Sequence, residues 1–264
     1  MTRETEGETV KGGWSPKWMA AGLLWIAATW GTWAAGCWNS LDGAVFRWCN
    51  VRLPEPGFWQ KVWAITNWRP FDLVAAVLIG VLLLAWMRAP GRKRIESRLA
   101  AILVFAVLML VVREVQDFTA DTMGYYRFSP TKLPGVVKLS ELVTWIKTKD
   151  ASARSFPGDH AFVLFAATGF LRIVGGRRRG WSAAAMLVPF AVPRIVVGAH
   201  WFTDVAVGGT GMAVATLLLG YATPLAALMG GLIECKGGRF LEAAVRLGRR
   251  VKLLPAESTD PERG

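Results

Sequence analysis

The sequence predicts an all-α fold, a polytopic membrane bundle of six transmembrane helices, and three observations carry that expectation. Six apolar stretches reach or approach the roughly 20 residues that a helix needs to cross a ~30 Å hydrocarbon core. The composition agrees, with 53% hydrophobic residues and a mean hydropathy of +0.34. There are also 14 tryptophans in 264 residues, many near the ends of those stretches, as at Trp14, Trp18, Trp38, Trp68, Trp86 and Trp181. Amphipathic rings favour headgroup depth, so an aromatic belt accounts for their placement better than a buried soluble core does.

The first stretch, 18–38, lacks a clean small-residue cleavage site and reads as a retained span. Cys37 at its end and Cys49 beyond it could meet on the outer side of the membrane as a disulfide; three thiols without paired spacing, counting Cys235, give no metal signature. The next spans are placed at 68–87 and 98–114, separated by a basic turn. The segment from 115 to 158 is long for a connection, and such loops are often functional. It holds Arg127, Ser129, Pro130 and Lys132, then a stretch from Lys138 to Lys147 that could form a short helix. Spans at 159–175, 181–199 and 203–223 complete the set. The tail offers an amphipathic surface helix over 236–253, with Phe240, Leu241, Val245 and Leu253 apolar, and a polar end from Pro255. The organisation expected is an N-terminal segment 1–17, a membrane domain 18–223 and a basic tail 224–264.

The net charge of +12 has an economical explanation in topology. With six spans, both termini share a side with the loops after the second and fourth spans, and that side holds 19 of the 31 lysines and arginines. The positive-inside rule makes it cytoplasmic. The 115–158 loop then faces outward, which for a bacterial inner membrane is the periplasm. Basic clusters beside spans also attract anionic headgroups, so membrane lipids are the expected partners. No nucleic-acid motif accompanies the charge, and the sequence does not speak to oligomeric state.

Only two histidines occur, and both sit beside other polar groups at the ends of apolar stretches. His200 and Asp204 are four apart, so on a helix they share a face. A carboxylate there can accept the Nδ1 proton, fixing the tautomer and leaving Nε2 a free lone pair for attack. Arg194 precedes His200 by six residues, and its planar fork suits two phosphate oxygens. His160 follows the Pro157-Gly158 turn at the start of a helix, where backbone N–H groups from Gly158 to Ala161 would attract an anion. A second imidazole there could protonate a leaving oxygen. Each residue alone has a plainer reading: Asp159 or Asp204 as a helix cap, Arg194 as a snorkelling cation. Gathered at a membrane, the ionisable set points to function.

These residues resemble the motifs of the type-2 phosphatidic acid phosphatase family of membrane lipid phosphatases. The family pattern Ser-Arg-x5-His-x3-Asp is matched by Arg194, His200 and Asp204, with Pro193 for the serine. Pro-Ser-Gly-His is matched at Pro157 and His160, with Gly158 and Asp159 in the middle positions. The first pattern, Lys-x6-Arg-Pro, is altered: Arg127 is followed by Phe128, and Ala120 stands where the lysine would be. Arg113 lies seven residues further back, expected at depth in the third span, and Lys132 is a nearer substitute cation.

The resemblance implies a metal-independent, cofactor-free, two-step reaction with the active site at the outer face. His200 would attack phosphorus to give a phosphohistidine, and His160 would protonate the departing oxygen and then activate water. Arg127, Arg194, Lys132 and the amides near Gly158 and Asp159 would hold the phosphoryl oxygens. The substrate implied is a lipid phosphate or diphosphate. Asp159 before His160 is similar to bacterial undecaprenyl diphosphate phosphatases, some of which carry Pro-Ser-Asp-His, so that isoprenoid diphosphate leads. Phosphatidylglycerol phosphate, phosphatidate and lipid A phosphates are the alternatives. A second lipid phosphate as acceptor would make the same site a phosphotransferase. A non-catalytic scaffold that kept the fold is the reading from a different class.

Overall fold

The computed structural model describes residues 15–90 and 95–231. The expected amphipathic tail helix at 236–253, the polar end from Pro255 and Cys235 lie outside the described residues, as do most of the 1–17 segment and the basic residues 92–94.

Every regular element among the described residues is helical. The first apolar stretch forms α1 (Pro16–Ala34), and the connection after it folds into α2 (Asn39–Arg52) and α3 (Phe58–Thr66). The next two apolar stretches form α4 (Phe71–Met87) and α5 (Ile95–Thr122). The long loop carries a single turn at Pro130–Lys132 and a short α6 (Leu139–Leu142), shorter than the helix expected from Lys138 to Lys147. Then comes α7 (Asp159–Gly175), with the bounds the sequence suggested. The last helix, Asp204–Ala222 (numbered α11 below), is α-wound over Thr210–Leu217 and π-wound at both ends.

The fifth expected span departs from the six-helix picture. Instead of one helix over 181–199 there are three short ones: α8 (Arg177–Ala185), α9 (Leu187–Phe190) and α10 (Val192–Val196). Pro189 and Pro193 explain the breaks, since each lacks an amide hydrogen and its ring crowds the preceding turn. By length and composition, α5 and α11 can cross a bilayer, and α4 is a shorter apolar helix.

The outward faces of α4 and α5 carry the apolar residues. Leu73, Val77, Val81 and Leu84 are exposed on α4, and Leu99, Leu103, Val107 and Leu110 on α5. The near four-residue spacing makes each set a continuous stripe. Meanwhile Arg98, on α5, is buried and donates to the carbonyls of Trp86, Met87 and Ala89, capping the end of α4. Leucines outside with an arginine inside is the polarity of a surface that meets hydrocarbon rather than water.

The helix α7 runs through the centre, against α4, α5, α8, α9 and α11. Its Phe162 and Ala166 meet Met212 and Ala213 of α11, while Phe170 and Leu171 pack with Trp86 and Ala183. A second core lies over one end of this bundle. There Leu53, Ala64, Leu139, Val143, Val197 and Ala199 bring together α2, α3, α6 and the turn after α10. The two histidine motifs meet where cap and bundle join.

Candidate active site

Helix α10 ends in Gly198 at φ +74, the left-handed conformation that glycine adopts without a Cβ penalty. A Cβ there would lie 2.7 Å from Phe46 and 3.0 Å from Thr131, so the turn is also a close approach between cap elements. The turn presents His200, whose amide donates to the Arg194 carbonyl at 3.1 Å. The long loop is stitched to it by Ser129 Oγ, which donates to the Ala199 carbonyl at 2.6 Å.

The Nδ1 of His200 lies 2.7 Å from the Ser155 carbonyl oxygen, whereas Asp204 Oδ2 is 3.7 Å away. The expected orienting partner is therefore replaced at hydrogen-bond distance by a backbone carbonyl. A carbonyl can only accept, so Nδ1 carries the hydrogen, and in the neutral imidazole the lone pair is then on Nε2. Asp204 is fully buried and occupied otherwise: Oδ2 accepts the Trp201 amide at 2.8 Å and Oδ1 accepts Arg127 Nη1 at 2.7 Å.

Arg127 is not a phosphate clamp in this arrangement. Its Nη2 donates to Asp42 Oδ2 at 2.6 Å, and its Nη1 also reaches Thr203 Oγ1 at 2.8 Å. Two buried carboxylates hold the guanidinium, which faces the rings of Trp201 and Trp33. Its carbonyl accepts both the amide and the hydroxyl of Ser155, so Arg127 positions the residue whose own carbonyl holds His200. Lys132 is exposed on the Pro130–Lys132 turn and does not line the cleft.

The Gly158 amide is likewise committed, donating to the Asp204 carbonyl at 2.9 Å, so this N–H is not offered to an anion. No side chain caps the first turn of α7. Asp159 is the first residue of that helix rather than its cap, and pairs with Arg113 Nη2 at 3.1 Å. Arg113 is thus at the level of the site, because α5 runs eight residues beyond the expected end of the third span.

A cleft of about 50 Å³ brings His160, His200, Arg194 and Asp159 together with two cations the motifs did not indicate, Lys149 and Arg154. Arg154 is paired with Asp121 at 2.8 Å. Lys149 has no carboxylate within ion-pair distance among the described residues. Arg194 is 2% exposed, and its Nη2 meets Asp72 Oδ1 at 2.5 Å. The other oxygen of Asp72 lies 3.0 Å from His160 Nε2. Arg194 Nε and His160 Nδ1 are buried without a partner. Unsatisfied buried polar atoms are rare and cluster at functional sites. Two in one cleft, with an excess of cations, suit a phosphoryl group.

Sequence reasoning missed Asp72, Lys149, Arg154 and the Ser155 carbonyl. Asp72 had one available signal, a carboxylate at the edge of an apolar stretch. The others follow from loop packing, which spacing does not encode.

Helices as the regular elements of the described residues, apolar outer faces and a two-histidine cationic cleft define a class of membrane phosphoryl-transfer proteins, and the chain belongs to the PAP2 superfamily. The family model matches residues 102–227. Members of that superfamily are phosphatases and phosphotransferases that act on lipid phosphates. Among particular relatives, the chain is 35% identical over 177 residues to the lipid A 1-diphosphate synthase of Escherichia coli strain K12, a match over 66% of this chain and 72% of that protein. It is also similar to the crystal structure of a PAP2-type phosphatidylglycerolphosphate phosphatase from Bacillus subtilis. That likeness has a TM-score of 0.45 and 18% identity, over 76% of this chain and 92% of the other.

Proposed function

We propose that the protein is a lipid phosphotransferase working through a phosphohistidine on His200, with an isoprenoid diphosphate such as undecaprenyl diphosphate as donor. The acceptor is a lipid A-type phosphate. The observation that carries this reading is the 2.7 Å approach of His200 Nδ1 to the Ser155 carbonyl, in a cleft shared with Arg194, Lys149 and a second histidine.

In the first step the Nε2 lone pair of His200 attacks the terminal phosphorus of the diphosphate. The P–O bond to the inner phosphate breaks, and that oxygen leaves as a lipid monophosphate with a proton from His160. Arg194 and Lys149 hold the equatorial oxygens, since positioning and charge stabilisation carry most such reactions. In the second step a phosphate oxygen of the acceptor attacks phosphohistidine, His160 takes any proton the acceptor bears, and His200 is restored. Water in place of the acceptor gives the second reading, a lipid phosphatase. The name of the 35% identical relative favours the first. Asp204 acts by holding Arg127 and the His200 turn rather than by touching phosphate.

The reaction involves no metal, takes place at the outer face of a bacterial inner membrane, and has both termini in the cytoplasm. The test is transfer and phosphate release by detergent-purified protein with labelled undecaprenyl diphosphate, with and without a lipid A 1-phosphate acceptor. Both activities are expected to vanish in His200→Ala, with acid-labile label on the wild-type protein. Label-free protein with His200→Ala at full activity would refute the mechanism.

A further inference from the structure

Next to the catalytic cleft lies a larger groove of about 370 Å³, lined by Trp68, Arg69, Lys147, Thr148 and Lys149 among others. The two are continuous, for Lys149 and Ala151 line both. We propose that this groove is a second anion subsite, which holds the phosphate-bearing headgroup of the acceptor lipid while the cleft holds the phosphoryl group in transit. The proposal rests on the transferase reading, because a hydrolase needs no place for a second lipid headgroup.

Several observations support it. Arg69, Lys147 and Lys149 bring three positive charges to one groove, and among the described residues none has a carboxylate within ion-pair distance. The carboxylate in the lining, Asp150, is only 5% exposed and accepts the Ser140 amide at 2.8 Å, so it is engaged by α6. The Thr148 hydroxyl is buried, at 9% exposure for the residue, and has no hydrogen-bond partner. A buried hydroxyl without a partner is costly unless something supplies one.

The walls are also fixed. Trp68 and Thr148 form an antiparallel bridge, and the Lys149 amide donates to the Asn67 carbonyl at 2.9 Å. Asn67 is itself buried, and its amide nitrogen reaches the carbonyls of Trp63 at 2.9 Å and Pro193 at 3.3 Å. The groove is therefore tied to the backbone just before Arg194. Its volume is that of a small-molecule site, whereas the cleft has room for little more than a phosphoryl group. Half-exposed Trp68 gives one flat apolar wall, which suits the face of a sugar ring.

The geometry makes two demands on an acceptor: an anionic group for the three cations and a polar body for the remaining volume. A phosphorylated sugar headgroup on a lipid meets both. Lys149, shared by the two spaces, would bridge the acceptor phosphate and the phosphoryl group arriving on His200.

The test uses the full-length protein in mixed micelles, with labelled undecaprenyl diphosphate as donor and lipid A 1-phosphate as acceptor, in wild type, Arg69→Ser/Lys147→Ser and Thr148→Val. Wild-type transfer reads the underlying function; the variants read the subsite. The double variant is expected to raise the acceptor KM about tenfold or more, through lost charge-assisted contacts. Donor cleavage without acceptor should fall much less. Thr148→Val should raise the acceptor KM by a smaller factor in the same direction. An equal fall of transfer and donor cleavage would assign the groove to the donor and overturn the proposal, as would an acceptor KM that does not move. Inorganic phosphate at millimolar concentration should fail to displace the lipid acceptor; if it competes on equal terms, the site takes free phosphate and the headgroup assignment is wrong. A wild type that cleaves donor and transfers nothing would remove the transferase reading itself.

Discussion

Asp72 gives one carboxylate oxygen to Arg194 and the other to His160, so it takes up the donors that a phosphoryl group would use. Asp72→Ala would leave the Arg194 guanidinium buried with little else than a 3.5 Å contact to the Lys149 carbonyl. Breaking a buried pair costs about 3–5 kcal/mol, and since Asp72 is about a third exposed, on the order of 2 kcal/mol is expected here. Added phosphate or vanadate should return part of that loss. The check is thermal unfolding in detergent: the anion should stabilise Asp72→Ala more than wild type, and equal shifts would show that Asp72 does not compete with phosphate. Arg127 makes the opposite case, a cation between the buried carboxylates of Asp42 and Asp204. Arg127→Ala should lower stability by about 3–5 kcal/mol, and Arg127→Lys should recover little, lacking the planar fork. Adding Asp42→Asn to Arg127→Ala should restore part of the loss, because one stranded charge is removed. A double variant no more stable than the single would mean the pair is not coupled.

At the scale of elements, the close approach of α11 to α7 sets the distance between the two histidine motifs. A Cβ on Gly209 would come within 2.8 Å of Ala161 Cβ and 3.0 Å of the Phe162 amide nitrogen, against backbone that cannot simply rotate away. Gly209→Ala should cost about 1–3 kcal/mol and lower kcat more than it raises KM, since substrate contacts stay while alignment is lost. Unchanged kcat with reduced stability would confine that contact to packing. What the sequence made legible follows the same division. His200, Arg194 and Asp204 are neighbours along the chain, so their grouping was legible from proximity alone, but the helical periodicity expected to put His200 and Asp204 on one face is broken by the turn at Gly198. The bounds of α7 were legible because a Pro-Gly turn begins it and Gly175-Gly176 ends it. The break of the 181–199 stretch had a signal in Pro189 and Pro193 that apolar composition outweighed. The partnership of Arg127 with Asp42 spans 85 residues and no local pattern encodes it. The altered first motif left the missing cation open, and folding brings Lys149 into the cleft on a loop tied down by the Trp68–Thr148 bridge.

For the whole molecule, the expected topology puts the loop around Ser140 outside. Cys37 and Cys49 are free thiols, exposed and buried respectively, so the disulfide considered between them is not formed. Burial also pushes the Cys49 thiol pKa up, which keeps it protonated and unreactive. Ser140→Cys in a Cys37→Ser/Cys235→Ser background should therefore give one dominant signal with an impermeant maleimide on intact cells. Labelling that appears only after lysis would invert the orientation and put the cleft in the cytoplasm. Chelators should leave turnover intact, because attack, proton transfer and charge neutralisation are all assigned to side chains; strong inhibition by EDTA would contradict that assignment.

The length of α5 acts as a ruler. Its 28 residues extend ~42 Å, about 12 Å more than the thickness of a bilayer's hydrocarbon core. If Ile95 stands at the inner boundary, as the proposed topology requires, Arg113 and its partner Asp159 stand ~27 Å up, close to where acyl chains give way to headgroups. On the proposed function and topology, a lipid diphosphate would reach His200 while its tail stays in the leaflet. Pulling that tail into water would cost ~0.8 kcal/mol per methylene, and an enzyme working at this depth never meets that barrier. Turnover should therefore respond to bilayer thickness: lipids with longer acyl chains would bury the mouth of the cleft and slow the reaction without any change in its chemistry.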